Sequence, residues 1–141
     1  MNKAYQSFLQ SKLQNVAISG FEVETSDINP MLFKFQNACV RWAVRLGKAA
    51  LFEECGLGKT FQQIEWARLV TKHTGGKVLI LAPLAVAGQT VLEADKLADH
   101  WQQVLELVSM RDVIKYVKDD SEIGDTQIVI SNYDRLHLFD T

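Results

Sequence analysis

Cysteine, proline, long apolar runs and an excess of positive charge are all scarce in this chain of 141 residues. The two cysteines, Cys39 and Cys55, have neither metal-ligand spacing nor the density of a disulfide framework, which points to a reducing, intracellular setting. No apolar stretch approaches the ~18 residues that a membrane-spanning helix needs, so no membrane partner is expected. The first seven residues, Met1 to Ser7, lack the apolar core and small-residue cleavage site of a secretory leader. A net charge of −2 supplies no general attraction for nucleic acid, so any such surface has to be local. Lys34, Arg41, Arg45, Lys48, Arg111 and Arg135 are scattered rather than clustered. Internal repeats and low-complexity segments are absent too. The length suits one domain with a single buried core.

One stretch carries chemistry. The apolar run Ala49–Phe52 leads into Gly56-Leu57-Gly58-Lys59-Thr60, and a helical pattern follows at once. This is the layout of a phosphate-binding loop between a strand and a helix. Glycines let the backbone curl until several N–H groups face one anion, and the first helical turn adds unpaired N–H groups and a positive dipole end. Lys59 can place its ammonium on the β- and γ-phosphates, and the Thr60 hydroxyl can ligate Mg²⁺. The full pattern has Gly six residues before the Lys, where this chain has Glu53.

Residues 1–14 suggest a short helix with Tyr5, Phe8, Leu9 and Leu13 on one packing face, and residues 15–30 an irregular extension anchored by Phe21 and Val23. A largely buried helix is expected from about Gln36 to Leu46, stopped by Gly47. Arg41 and Arg45 share one of its faces, either solvated or touching phosphate or backbone. Ala49–Phe52 reads as the first strand. The helix Thr60–His73 then has Phe61, Ile64, Ala67, Leu69 and Val70 inwards and Gln62, Glu65 and Arg68 outwards. Lys77–Leu81 is a second strand ending at Pro83, and a helix follows from about Val86 to His100. Val104–Ser109 suggests a strand, Arg111–Lys118 a short helix, Ile128–Ile130 a strand, and Asp134–Phe139 the start of a helix. Trp42 and Trp66 have the spacing of core residues, while Trp101 suits either packing or base stacking. Alternating strands and helices predict an α/β fold with a parallel sheet, whose ligands sit beyond the carboxyl ends of the strands.

With these residues placed, the chain resembles the first RecA-like lobe of superfamily-two DEAD/DEAH-like DNA helicases and translocases of phage and prophage type. The likeness runs from about Phe21 onward. Leu32-Phe33-Lys34-Phe35-Gln36 resembles the glutamine motif, in which Gln36 would read the adenine edge. Gly56, Leu57, Gly58, Lys59 and Thr60 match motif I, where the family commonly has an acidic residue at the position of Glu53. Leu81-Ala82-Pro83-Leu84-Ala85-Val86 with Gln89 is similar to motif Ia, and Ile130-Ser131-Asn132-Tyr133-Asp134-Arg135-Leu136 to the motif Ib region. The resemblance implies a P-loop NTPase lobe over residues 31–141 behind an extension at 1–30. It also implies ATP and Mg²⁺ as cofactors, Pro83, Leu84, Asn132 and Tyr133 along a DNA track, and a cytoplasmic place in a bacterial or phage-infected cell.

The family's Asp-Glu motif, its second lobe and its arginine finger have no counterpart in these residues, so no catalytic residue is assigned. Asp119-Asp120 after an apolar run, and Glu53-Glu54 before the loop, are poor substitutes. The expectation is a nucleotide-binding lobe of an ATP-dependent motor that neither hydrolyses ATP efficiently nor unwinds DNA alone. The alternative is a non-catalytic mobile-element protein that reuses half a helicase lobe to bind or inhibit a partner in a nucleic-acid-processing complex. The sheet edge discriminates: a lobe lacking its next strand leaves an edge open to pairing with a protein partner or a second copy, whereas a self-sufficient binding protein would cover it.

Overall fold

In the computed structural model, residues 2–12, 17–105 and 114–139 are described, with backbone alone at 12 and 97–105. The fold is α/β. Its elements are α1 (Lys3–Lys12), α2 (Lys34–Leu46), α3 (Lys59–Thr74), β1 (Val78–Ala82), α4 (Leu84–Leu105), β2 (Ile114–Tyr116) and β3 (Ile128–Asn132). Among the described residues, 3₁₀ turns lie at Thr25–Asp27, Asp120–Glu122 and Tyr133–Leu138.

Among the described residues the sheet is three-stranded and all parallel, in the order β1-β3-β2. The central strand β3 is the most apolar, and Ile128, Val129 and Ile130 are fully buried, as a strand covered on both faces requires. Val78 pairs with Ile128 and Ala82 with Asn132, so the carboxyl ends of β1 and β3 lie side by side. The main core joins Ile80, Ile128 and Ile130 of the sheet to Val40 and Val44 of α2 and Ile64, Ala67 and Leu69 of α3.

The extension before α2 is stitched to the helices. Phe21 and Val23 pack on the core as expected, with Phe21 stacked on His73 at 3.8 Å. The amides of Ser19, Gly20 and Phe21 donate to the carbonyls of Leu46, Arg45 and Val44, which would otherwise be orphaned at the end of α2. Gly20 is required by this approach, since a Cβ there would collide with the Val44 carbonyl oxygen. Arg41 donates to the Val23 carbonyl and the Thr25 hydroxyl, and Arg45 pairs with Glu22 at 3.0 Å on the surface. Both arginines therefore hold the chain's own N-terminal segment.

Several sequence expectations need correction. Ala49–Phe52 is not a strand: it has no ladder partner among the described residues, Leu51 turns towards α2 and α3, and Phe52 is 98% exposed. An apolar run becomes a strand only where a neighbour accepts its hydrogen bonds, and the described sheet places none beside it. Ile114–Tyr116 is strand rather than helix, α4 starts two residues early at Leu84, and Tyr133–Leu138 is a 3₁₀ turn. Tyr5, Phe8 and Leu9 of α1 are exposed, and so is Trp42, despite spacing suited to a core. Gln62 and Glu65 are buried instead of outward-facing: the extension covers Glu65, to which the Asn29 amide donates, and the loop covers Gln62, which donates to Glu53 and the Leu57 carbonyl. The strand expected at Val104–Ser109 is helical at its first two residues, and its remainder lies outside the described residues, as does Leu13.

Candidate phosphate-binding site

The loop before α3 follows from its glycines. Gly56 and Gly58 have φ of 82° and 71°, in the left-handed region that costs a residue with a Cβ about 1–2 kcal/mol. Gly58 is the N-cap of α3, and no side chain caps that end. The first helical bond runs from the Gln62 amide to the Gly58 carbonyl, 3.2 Å, so the amides of Lys59, Thr60 and Phe61 have no acceptor within the helix. Three donors and the positive end of a 16-residue helix thus face outward together.

The two side chains expected on phosphate and metal stand at this end. The Lys59 ammonium donates to the Glu53 carbonyl, 2.9 Å, closing the loop on itself. Lys59 is exposed, so that bond can be exchanged for one to a ligand. Thr60, one residue on, makes no hydrogen bond through its hydroxyl among the described residues. Leu57 supplies a carbonyl that two buried amides grip: Gln36 Nε2 at 2.9 Å and Gln62 Nε2 at 3.3 Å. The other end of Gln36, Oε1, accepts from the Phe33 amide at 2.9 Å and caps the start of α2. Gln62 Nε2 also donates to Glu53 Oε2 at 2.8 Å.

Glu53 therefore ties three pieces together rather than merely charging the loop entrance. Its carboxylate meets Gln62, its carbonyl meets Lys59, and its side chain reaches the Cys39 thiol of α2. Burial, then the hydrogen bond with Glu53 and the carboxylate's charge, push the Cys39 thiol above its ordinary value. Sequence reasoning missed Gln62 as part of the site, although its place three residues after Lys59, one turn into the helix, was the available signal.

Gln62 is 1% exposed, and its Oε1 has no hydrogen-bond partner. A buried carbonyl oxygen without a donor is the kind of group that a bound water or a ligand's shell satisfies. With the free Thr60 hydroxyl nearby in sequence, the donor set fits a Mg²⁺ ion carried mainly by phosphate oxygens and water. No group of three or more His, Cys, Asp or Glu that could hold a metal by itself occurs among the described residues. Beside the loop lies a cavity of about 410 Å³, walled by Val40, Ala43, Leu51 and Trp66, with Lys59 and Thr60 on its lining. Its walls are mostly apolar, which suits side-chain packing better than phosphate.

Only three residues separate α3 from β1, and the two elements pack together, so α3 runs back against the strand direction. Its N-terminus, with the loop, accordingly faces the side of the strands' carboxyl ends. On that edge the structure brings Pro83 and Leu84 next to Asn132 and Tyr133, because β1 and β3 are register neighbours. The Pro83 carbonyl accepts from the amides of Val86 and Ala87 and starts α4, leaving Leu84 and Tyr133 exposed. Asn132 Oδ1 is buried without a partner. The paired acids Asp119-Asp120 follow β2, which lies on the other side of β3 from β1, and Asp119 is close enough to Arg135 to feel its charge. Asp119 is taken up by its own turn, where hydrogen bonds from Ser121 hold its carboxyl below the usual range.

No family model matches the chain, and no curated protein matches its sequence. Among the described residues no helix is long and apolar enough to cross a membrane.

Proposed function

We propose that this chain is a nucleotide-binding part of the first RecA-like lobe of an ATP-dependent DNA helicase or translocase. By itself it binds Mg·ATP, turns it over poorly and does not separate strands. The observation that carries this reading is the uncapped N-terminus of α3, entered through left-handed Gly56 and Gly58 and followed by Lys59 and Thr60. The amides of Lys59, Thr60 and Phe61 would receive phosphate oxygens. Lys59 would exchange the Glu53 carbonyl for the β/γ-phosphates, and Thr60 would hold the ion that neutralises them. Bound Mg²⁺ supplies charge compensation on the phosphates.

Poor turnover is argued from position. Phosphoryl transfer needs a group that orients the attacking water and cations on the developing charge. Two of the candidate acids are already engaged, Glu53 with Gln62 and Cys39, and Asp119 with Ser121 in the turn after β2. DNA is proposed along Pro83, Leu84, Asn132 and Tyr133, where two adjacent strand ends present the exposed Leu84 and Tyr133 side chains.

A second reading is favoured by a different observation. Among the described residues β1 has a strand on one side only, and Ala49–Phe52 joins no ladder, with Phe52 exposed. Such edges support a role joined to a protein partner.

Titration calorimetry of the wild type and Lys59→Ala with Mg·ATP, alongside a phosphate-release assay, tests the main reading. Lys59 is exposed, so the variant keeps the fold. Wild type is expected to bind with little release, and the variant to lose at least about tenfold in affinity, equivalent to ~1.4 kcal/mol. Equal affinity in both proteins would sink the site assignment, and brisk phosphate release would sink the claim of poor turnover.

A further inference from the structure

We infer that the loop recognises the triphosphate alone and is indifferent to the base, because Gln36, the amide that the glutamine-motif resemblance would set on the base, is committed at both ends to the protein. The inference rests on the triphosphate reading above and narrows it. Gln36 is 4% exposed. Its Oε1 accepts from the Phe33 amide and its Nε2 donates to the Leu57 carbonyl, both at 2.9 Å. One hydrogen and one lone pair remain on the amide, but a base edge has to reach them through a side chain that solvent barely touches.

Gln36 is also packed closely against the loop. Gln36 Nε2 lies so near Gly58 that a Cβ on the glycine would overlap it. Moving Gln36 to meet a base would release the Leu57 carbonyl and uncap the start of α2, leaving buried polar groups unpaired. Gln36 is therefore a positioning residue. Together with Gln62 it grips the Leu57 carbonyl and so sets the path of the loop into Gly58. What faces outward is the row of amides at Lys59, Thr60 and Phe61 with the Lys59 ammonium, and these groups recognise oxyanions. The ligand class is then any Mg-bound triphosphate, including inorganic tripolyphosphate.

The test is calorimetric titration of the full chain with Mg·ATP, Mg·GTP, Mg·UTP and Mg·tripolyphosphate. The expected result is four dissociation constants within about threefold of one another. A site that hydrogen-bonds the adenine edge would instead separate ATP from GTP by more than about tenfold, and that outcome overturns the inference while leaving the triphosphate reading intact. Binding of none of the four overturns both. Gln36→Ala provides a second readout. Loss of the loop grip weakens all four ligands by the same factor, whereas a loss confined to ATP shows that Gln36 reads the base. The wild-type profile decides the matter even where the variant fails to fold.

Discussion

Glu65 shows what a single buried charge demands. It is 1% exposed, accepts from the Asn29 amide at 3.0 Å and receives the Arg68 guanidinium on both carboxylate oxygens. Arg68 also donates to the Asp27 carbonyl at 2.6 Å. A carboxylate taken out of water is tolerable only with such a set of donors. Replacing the pair by apolar groups could be neutral, but removing one member leaves the other stranded. Arg68→Ala is therefore expected to lower unfolding stability by about 3 kcal/mol, read as a lower urea midpoint with an unchanged slope. The periodicity of α3 put both residues on a solvated face, because i to i+3 spacing says which residues share a face but not what covers it. The cover is a segment 36 residues away, from Asn29 to Glu65.

At the scale of elements, the extension from Ser19 to Ile28 serves as a splint for α2 and α3. Phe21 and Val23 were legible as anchors, since apolar residues in an irregular stretch need somewhere to pack. The splint's backbone pairing with Val44, Arg45 and Leu46 was not legible, since backbone hydrogen bonds leave little trace in residue type. Gly20 was the available trace. Gly20→Ala is expected to lift the segment from α2, seen as faster hydrogen exchange at the Gly20 and Phe21 amides while the β3 amides stay protected. The turn after β2 offers a pH test. Its Asp119 carboxyl is held below its ordinary value mainly by the Ser121 hydroxyl, so the folded state binds its proton less readily than the unfolded chain. The contribution is present above the unfolded value and is lost as pH falls through the folded one. The Ser121 amide resonance should accordingly shift only at strongly acidic pH, and Asp119→Asn should abolish that titration. A resonance that titrates unchanged in the variant would rule out this assignment.

For the whole molecule, the loop is where the parts meet. Gln36 links it to α2, Gln62 and Glu53 link it to α3, and the extension links both helices in turn. A ligand seated on the loop should thus stabilise the assembly and not the loop alone. On the proposed reading, Mg·ATP at a hundred times its dissociation constant adds about 2.7 kcal/mol to the unfolding free energy. The measurement is a denaturant melt followed at Trp66, which packs on the core, and the increment should vanish in Lys59→Ala. A gain restricted to loop amides in hydrogen exchange, with no change in the melt, would show that the loop opens independently.

What the residues determined unaided was local. Two glycines at the right interval, a lysine and a threonine ahead of a helical pattern required a curled loop and a bare helix end, and β-branched runs required strands in a parallel layer. The Gly47 stop, the β1 boundary at Pro83 and the apolar run of β3 belong to the same class, because each depends on neighbours within a few positions. Tertiary structure alone decided that Ala49–Phe52 stays unpaired, that Gln62 and Glu65 are inside, and that Gln36 closes on the loop carbonyl. Those outcomes turn on whether a distant backbone arrives to accept or donate a hydrogen bond, and no periodicity of residue types encodes such an arrival. The loop before α3 is the meeting point of the two kinds of information: its conformation is written in its glycines, and its fixed position comes from two buried glutamines of neighbouring helices.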